Sequence, residues 1–170
     1  MAQLKKLGRP TEQRLAVLRN QASNLLWYGK IEVTEGHVAS LRSYVEKIIT
    51  LAMNTYEDTV ETTVTTKDAK GKEVTKKVIK DGVKKLAARR KIMSLTYDIQ
   101  FAKEPKESKA AYKARTKGIN HPLIEKIFNE IAPKYAERKE QLGQGGGYTR
   151  KYLKGERRGD AAEVAIIELV

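Results

Sequence analysis

The sequence predicts an α+β fold of two layers, in the order helix, strand, three helices and two strands. Three observations carry this prediction. Apolar residues recur at helical spacing in four stretches, short β segments stand at residues 31–33 and near the carboxyl end, and residues 59–80 alternate with period two. We therefore expect helices against one face of a small mixed sheet of three strands, together with an inserted polar β-hairpin.

The first three elements follow from residues 1–53. Residues 1–9 are basic and have no usable period, so we expect an arm that only a partner would order. Pro10 opens a first helix and Gly29 ends it. The apolar residues of this helix are Leu15, Leu18, Ala22, Leu25 and Leu26. A strand follows at residues 31–33, and Thr34 is placed to cap a second helix. The stripe of that helix is Val38, Leu41, Val45, Ile48 and Ala52.

The middle of the chain predicts a hairpin and two more helices. The hairpin spans residues 59–80, with its turn at 68–71. Gly82, after Asp81, introduces a third helix, and residues 103–118 are expected to form a loop or a frayed helix. The face of the third helix is Ala88, Ile92, Leu95 and Ile99. A fourth helix begins near Asn120, and Pro133 should kink or interrupt it. Its stripe is Ile124, Ile127, Phe128, Ile131 and Tyr135.

The carboxyl-terminal part predicts a glycine-rich connection and two strands. Residues 143–147 contain four glycines and must be open backbone. Residues 148–154 and 163–170 are the two β segments, joined through residues 155–160. We find no internal repeat. The whole chain, residues 1–170, is therefore expected to form a single domain.

The balance of charge indicates a polyanionic partner. The chain has 34 basic and 21 acidic residues, for a net charge of +13. Basic residues are concentrated, because residues 1–30 hold six against one acid and residues 67–91 hold eleven against three. The absence of cysteine excludes disulfides and thiolate metal sites. Without a signal-peptide pattern or an apolar stretch of membrane length, we expect a cytoplasmic protein with no membrane insertion.

The sequence contains few candidate catalytic residues. His37 and His121 are the only histidines, and neither has metal-ligand spacing, so we expect neither a metal nor a cofactor. The glycine-rich segment lacks the Gly-Lys-Ser/Thr ending of a phosphate-binding loop. No nucleophile, base and acid stand in a recognisable order. We therefore expect no enzyme and no small-molecule substrate.

The sequence has more residues suited to nucleic-acid binding, because an arginine guanidinium can donate two hydrogen bonds to one phosphate and aromatic rings stack with bases. Three basic patches are expected to contact RNA, although a solvated face is an equal alternative for each patch alone. The first patch, on the arm and first helix, is Lys5, Lys6, Arg9, Arg14, Arg19 and Asn20, near Trp27 and Tyr28. The second patch is Lys84, Lys85, Arg89, Arg90 and Lys91. The third patch is Tyr148, Arg150, Arg157 and Arg158, and Lys30 and Arg42 are further candidates.

Several segments carry a resemblance to a known family. The segments are LGRPTEQR at 7–14, LRNQA at 18–22, IEVT at 31–34, EKIITLA at 46–52, ARR at 88–90, IFNEIAP at 127–133, GGYTR at 146–150, RGD at 158–160 and IELV at 167–170. Together they resemble bacterial large-subunit ribosomal protein seventeen over nearly the whole chain. The resemblance implies a structural protein of the large ribosomal subunit that binds 23S rRNA beside large-subunit protein thirty-two. A free nucleoid or RNA-chaperone protein stays the alternative function.

The chain departs from the family pattern in four places. Glu35 and its neighbours stand where basic residues are usual, and Lys151 stands where an apolar residue is expected. Two segments, 54–83 and 101–118, are longer than in typical members. The first contains the predicted hairpin and the second is highly charged, and the resemblance implies no role for either.

Overall fold

A computed structural model describes residues 5–67 and 73–170 of the chain. The helices are α1 (Thr11–Tyr28), α2 (Glu35–Met53), α3 (Val83–Leu95), α4 (Lys109–Arg115), α5 (Pro122–Lys126) and α6 (Ala132–Leu142). The strands are β1 (Lys30–Thr34), β2 (Thr59–Lys67), β3 (Glu73–Asp81), β4 (Thr149–Glu156) and β5 (Glu163–Leu169). The predicted α+β class and element order are confirmed. The expected hairpin turn at residues 68–71 lies outside the described residues.

The first helix begins and ends where its sequence predicts. Pro10 occupies the N-cap position, and Gly29 ends the helix in the left-handed conformation, with its N–H donating to Leu25 O at 2.9 Å. The predicted apolar residues of α1 are buried with one exception. Leu15, one turn into the helix, is 37% exposed.

The second helix supplies the centre of the core. All five residues of its predicted stripe are buried, and the spacing of three and four residues places them on one face. Thr34 occupies the N-cap position as expected, but its hydroxyl makes no capping hydrogen bond. The start of α2 is therefore defined by tertiary packing rather than by a side-chain cap.

The main sheet has the strand order β1, β5, β4. Both pairings are antiparallel, with Ile31 opposite Ile167 on one side and Lys151 opposite Ile167 on the other. The expectation of a mixed sheet is therefore wrong. Ala165 and Ile167 face the helices and are fully buried, whereas Ile166 between them is half-buried and Glu168 is exposed. The predicted two-layer arrangement follows from this alternation.

The predicted fourth helix is a continuous helical run with a π-helical turn (Ile127–Ile131) between α5 and α6. Within this turn Ala132 N–H donates to Ile127 O, five residues back. Pro133 follows directly and has no N–H to donate, so the wider turn accommodates its ring without ending the helix. The predicted stripe of this helix is buried throughout.

The predicted hairpin is formed by β2 and β3, paired from Thr59 opposite Asp81 to Lys67 opposite Glu73. No described residue of either strand belongs to the buried core, so the hairpin is an appendage. Its base is fixed by Asp58, whose carboxylate Oδ2 accepts from Lys84 N at 2.8 Å at the start of α3. The third helix ends at Leu95, so Ile99 is not part of its face, contrary to expectation.

The charged segment 101–118 contains a short helix, α4, where a loop or frayed helix was expected. Ser108 caps this helix by accepting from Ala111 N at 3.1 Å. None of the helices in the described parts of the chain is long and apolar enough to cross a bilayer.

Candidate nucleic-acid interface

The first basic patch is divided by the structure. Arg14 is half-exposed, and its Nη2 donates to Thr11 Oγ1 at 3.5 Å. Asn20 is exposed, and its Oδ1 accepts from Asn24 Nδ2 at 2.8 Å. Arg19 differs, because its Nε is buried without a hydrogen-bond partner among the described residues. Arg14 and Asn20 are therefore open to a ligand, whereas Arg19 is partly enclosed by the fold.

The basic residues before α1 lie in a tight turn. Lys5 and Lys6 are exposed, and Arg9 N donates to Lys6 O at 3.1 Å. Leu7 packs against the core. Residues 5–9 thus place three exposed basic side chains, Lys5, Lys6 and Arg9, beside the start of α1. Residues 1–4 lie outside the described part of the chain.

Arg9 also has an electrostatic neighbour. Burial lowers the pKa of His37, and the positive charge of Arg9 lowers it further. His37 Nδ1 and Gln21 Nε2 are 2.9 Å apart, so the amide of α1 holds the imidazole at the start of α2. This histidine is a packing residue between the two helices.

The second basic patch, on α3, has an inner side that is already paired. Arg89 Nε donates to Asp81 Oδ2 at 2.7 Å, and its Nη1 donates to Glu125 Oε1 at 2.5 Å. Lys85 Nζ lies 3.5 Å from Asp81 Oδ1. Both cations also lie over the ring of Phe128, at 5.8 Å for Lys85 and 5.2 Å for Arg89. These two residues join the hairpin, α3 and α5, and their charge is neutralised locally.

The outer side of α3 is free for a ligand. Lys84, Arg90 and Lys91 are all exposed. Lys84 uses its backbone N–H to bond Asp58, which leaves its ammonium group in solvent. Only these three members of the second patch present their charge to the outside.

The third patch loses its aromatic member. Tyr148 is 3% exposed, so the expectation that it is displayed for stacking is wrong. Its ring lies 4.9 Å from that of Tyr135 in an edge-to-face arrangement, and its hydroxyl donates to Met53 Sδ at 3.8 Å. Tyr148 is a core residue that fixes the start of β4 against α2 and α6.

The arginines of the third patch also have separate roles. Arg157 donates to both carboxylate oxygens of Asp160, at 3.0 and 2.6 Å, and holds the turn between β4 and β5. This guanidinium, with a backbone N–H, lowers the pKa of Asp160 to about 2. Arg150 and Arg158 are exposed. Arg158 therefore projects from a turn that Arg157 stabilises.

Two of the candidate residues come together on the open face of the sheet. Lys30 of β1 and Arg150 of β4 are both paired with Glu168 of β5, so the three side chains lie in one row on one face. Two strand spacings separate the outer pair by about 10 Å. Tyr152 lies on the same face and is 46% exposed. This face offers two cations and an aromatic ring.

Arg42 is occupied within the fold. Its Nε donates to Thr149 Oγ1 at 3.0 Å and its Nη2 donates to Thr149 O at 3.2 Å. The same threonine hydroxyl donates to Glu46 Oε1 at 2.7 Å. Arg42 therefore connects α2 to β4, and only its half-exposed edge remains for a ligand.

Two of the departures from the family pattern are in contact. Lys151 Nζ donates to Glu35 Oε1 at 2.8 Å. An acid at the start of α2 and a base on β4 thus form one ion pair across the helix and the sheet. Lys151 also keeps its register opposite Ile167, so the strand forms despite the polar residue.

Further exposed cations lie in a segment for which sequence analysis proposed no contact. They are Lys103, Lys106, Lys109, Lys113 and Lys117. Two signals were present in the sequence. Residues 101–118 hold six basic residues against two acids, and three of the lysines recur at intervals of four.

No group of three or more His, Asp and Glu side chains that could hold a metal lies within residues 5–67 and 73–170. His121 Nδ1 is 3.6 Å from Asp98 Oδ2 beside a cavity of about 80 Å³ that Leu123 also lines.

The described residues form a small basic α+β fold with exposed cations on several elements. The sequence profile of the family described as ribosomal protein L17 matches residues 17–170. The chain belongs to the ribosomal protein L17 family, and the resemblance noted in its sequence is confirmed.

The curated relatives match over their whole length. The chain is 38% identical over 170 residues to large ribosomal subunit protein bL17 of Clostridium botulinum, with all of both chains covered. It is 37% identical to the protein of the same name from Lachnospira eligens, again with all of both chains covered. For that of Acetivibrio thermocellus the identity is 36%, with 98% of each chain covered. The alignments therefore extend across the segments at 54–83 and 101–118.

Proposed function

We propose that this protein is a structural constituent of the bacterial large ribosomal subunit, without enzymatic activity, that binds and stabilises 23S rRNA. Membership of the L17 family along the chain carries the proposal. Relatives covered over their full length are named as proteins of the large ribosomal subunit. The site of action is then the ribosome, in the cytoplasm.

Exposed cations on several elements support the proposed binding of rRNA. Arg90 on α3 and Arg158 after β4 are exposed, and Arg14 on α1 is half-exposed. Guanidinium groups can donate two hydrogen bonds to one phosphate, and an array of them neutralises a backbone without reading its sequence. We include large-subunit protein thirty-two as a neighbouring protein, on the strength of the family resemblance alone.

Sedimentation of the native protein tests the proposal. In a cell extract resolved on a sucrose gradient at about physiological salt, the protein should follow the large subunit and 23S rRNA. Treatment with ribonuclease should release it, whereas treatment with deoxyribonuclease should not. A protein that remains in ribosome-depleted fractions bound to DNA would instead be the free nucleic-acid-binding protein of the alternative function.

A further inference from the structure

We infer that residues 101–118 form a preorganised phosphate-binding module, in which a lysine face on and around α4 contacts the backbone of ribosomal RNA. This inference rests on the proposed function and adds a contact site to it. The observations that carry it are the inward packing of the aromatic residues, the local pairing of the one arginine and the exposure of all the lysines.

The module is held together by Arg115. Its Nε and Nη2 donate to the two carboxylate oxygens of Glu107, both at 3.0 Å, and Nη2 also donates to Ala102 O at 3.0 Å. The guanidinium lies 5.9 Å from the ring centroid of Phe101 and 5.5 Å from that of Tyr112. Arg115 therefore folds the segment onto itself, and its Nε and Nη2 are already hydrogen-bonded within it.

The module is also attached to the body of the protein. The ring centroids of Phe101 and Trp27 are 5.6 Å apart. Lys126 Nζ lies over the Trp27 ring, 5.3 Å from its centroid. Lys126 further donates to Trp27 O at 2.8 Å. The segment is therefore oriented relative to α1 and α5, and its outer face has a defined direction.

The outer face is cationic and contains little else. Lys109 and Lys113 are one helical turn apart, about 6 Å along the axis, and Lys117 continues the interval of four beyond the end of α4. All three are exposed. Among the described residues, Arg115 is the only cation of this segment in an ion pair, and its partner is Glu107. The lysines thus carry uncompensated charge.

The chemistry of this face favours a nucleic-acid backbone over a protein. Within residues 101–118, all of which the structure describes, no large apolar side chain is exposed. Protein interfaces have aromatic residues at their centre and are depleted of lysine. A row of ammonium groups without apolar neighbours is instead suited to phosphates, where each contact releases condensed counterions.

The test compares two triple variants. The first replaces Lys109, Lys113 and Lys117 by Gln, which retains helix propensity. The control replaces Lys47, Lys134 and Lys139 by Gln and removes the same charge from exposed positions on α2 and α6. Binding of each protein to purified 23S rRNA is measured over a series of KCl concentrations.

We expect the first variant to lower the slope of log affinity against log salt by roughly two, since each phosphate contact contributes somewhat less than one. The control should lower it by much less. Equal slopes for the first variant and the unsubstituted protein overturn the inference and leave the proposed function intact. Equal losses in both variants overturn it as well, because the effect is then one of net charge. If the unsubstituted protein itself fails to bind rRNA, the proposed function fails.

A second variant tests the preorganisation. Arg115→Gln leaves the three lysines in place but removes the bonds that fold the segment. Because Trp27 is the only tryptophan of the chain, its fluorescence reports whether Phe101 still covers it. We expect a red shift of the emission and weaker rRNA binding with an unchanged thermal transition. A red shift with unchanged affinity would show that the lysines need no ordered module. If the triple lysine variant keeps its affinity for rRNA but loses binding to RNA-free large-subunit proteins, the lysine face contacts a protein partner instead.

Discussion

At the scale of single residues, identical neighbours in the sequence have different roles in the structure. Arg89 is bonded to Asp81 and Glu125, while Arg90 faces solvent. We expect Arg89→Ala to lower the free energy of unfolding by about 2 kcal/mol, because it removes a half-buried guanidinium that bonds Asp81 and leaves Glu125 without its cation. Arg90→Ala should change stability by less than about 0.5 kcal/mol. Urea unfolding of both variants measures these differences.

For rRNA binding we expect the reverse order, with a larger effect of Arg90→Ala than of Arg89→Ala. Arg90→Ala is expected to weaken rRNA affinity and to flatten its salt dependence, since an exposed phosphate contact is lost. Folded Arg89→Ala protein, measured well below its unfolding temperature, should retain the salt dependence of the original. An unaltered salt dependence for Arg90→Ala together with a reduced one for Arg89→Ala would exchange the roles that the structure assigns.

His37 should make the stability of the protein depend on pH. Burial and then Arg9 lower its pKa below the ordinary value of 6.5. The unfolded chain therefore binds a proton more readily, and the free energy of unfolding falls as the pH is lowered from 6.5 toward the folded-state pKa. We expect His37→Gln to remove part of the rise in stability between about pH 5 and about pH 7. Thermal unfolding across this range is the measurement, with His121→Gln as the control, and identical pH profiles for His37→Gln and the original protein would contradict the assignment.

At the scale of secondary-structure elements, the hairpin β2–β3 should be separable from the fold. Its described residues contribute nothing to the buried core. Replacing residues 60–79 by a short Gly-Ser linker is therefore expected to shift the melting temperature by less than about 5 °C. Retention on large subunits washed in rising salt should decrease, because exposed lysines such as Lys77 are removed.

The base of the hairpin supplies the matched control for this excision. Asp58→Ala keeps the hairpin but removes the carboxylate that accepts from Lys84 N and Lys85 N at the start of α3. We expect it to lower the free energy of unfolding by about 1 kcal/mol. Loss of the cooperative transition in the excision variant would place the hairpin in the core. Unaltered ribosome retention at every salt concentration would show that the hairpin makes no contact there.

Elements with strong local periodicity were predictable from the sequence, and their relations in space were not. The stripe of α2 was predicted completely because helical spacing reports directly which side chains face the core. Strand direction has no such local signal, so the antiparallel sheet was missed. Tyr148 follows a glycine-rich segment, which suggested exposure, yet its contact with Tyr135 comes from a helix that precedes it. Glu125, 36 residues from Arg89, likewise decides which arginine is paired.

At the scale of the whole molecule, the free cations are distributed over separate elements and are not gathered into one pocket. Arg14 stands on α1, Arg90 and Lys91 stand on α3, and Arg150 and Arg158 belong to the β4–β5 hairpin. Each pair of phosphate contacts should contribute roughly 1.5 to the slope of log affinity against log salt. Contributions from independent sites add, so rRNA binding is expected to weaken in steps.

Three double variants test this distribution: Arg9→Ala with Arg14→Ala, Arg90→Ala with Lys91→Ala, and Arg150→Ala with Arg158→Ala. We expect each to lower the salt slope by a similar amount and to leave measurable binding at low salt. The combination of all three should lower the slope by the sum, because the pairs share no partner in the described structure. Glu137→Gln with Glu140→Gln raises the net charge by two at exposed positions and should leave the slope nearly unchanged. Abolition of binding by one double variant, with the other two unaffected, would instead indicate a single focused site, and a steeper slope for the Glu variant would indicate that net charge alone governs binding.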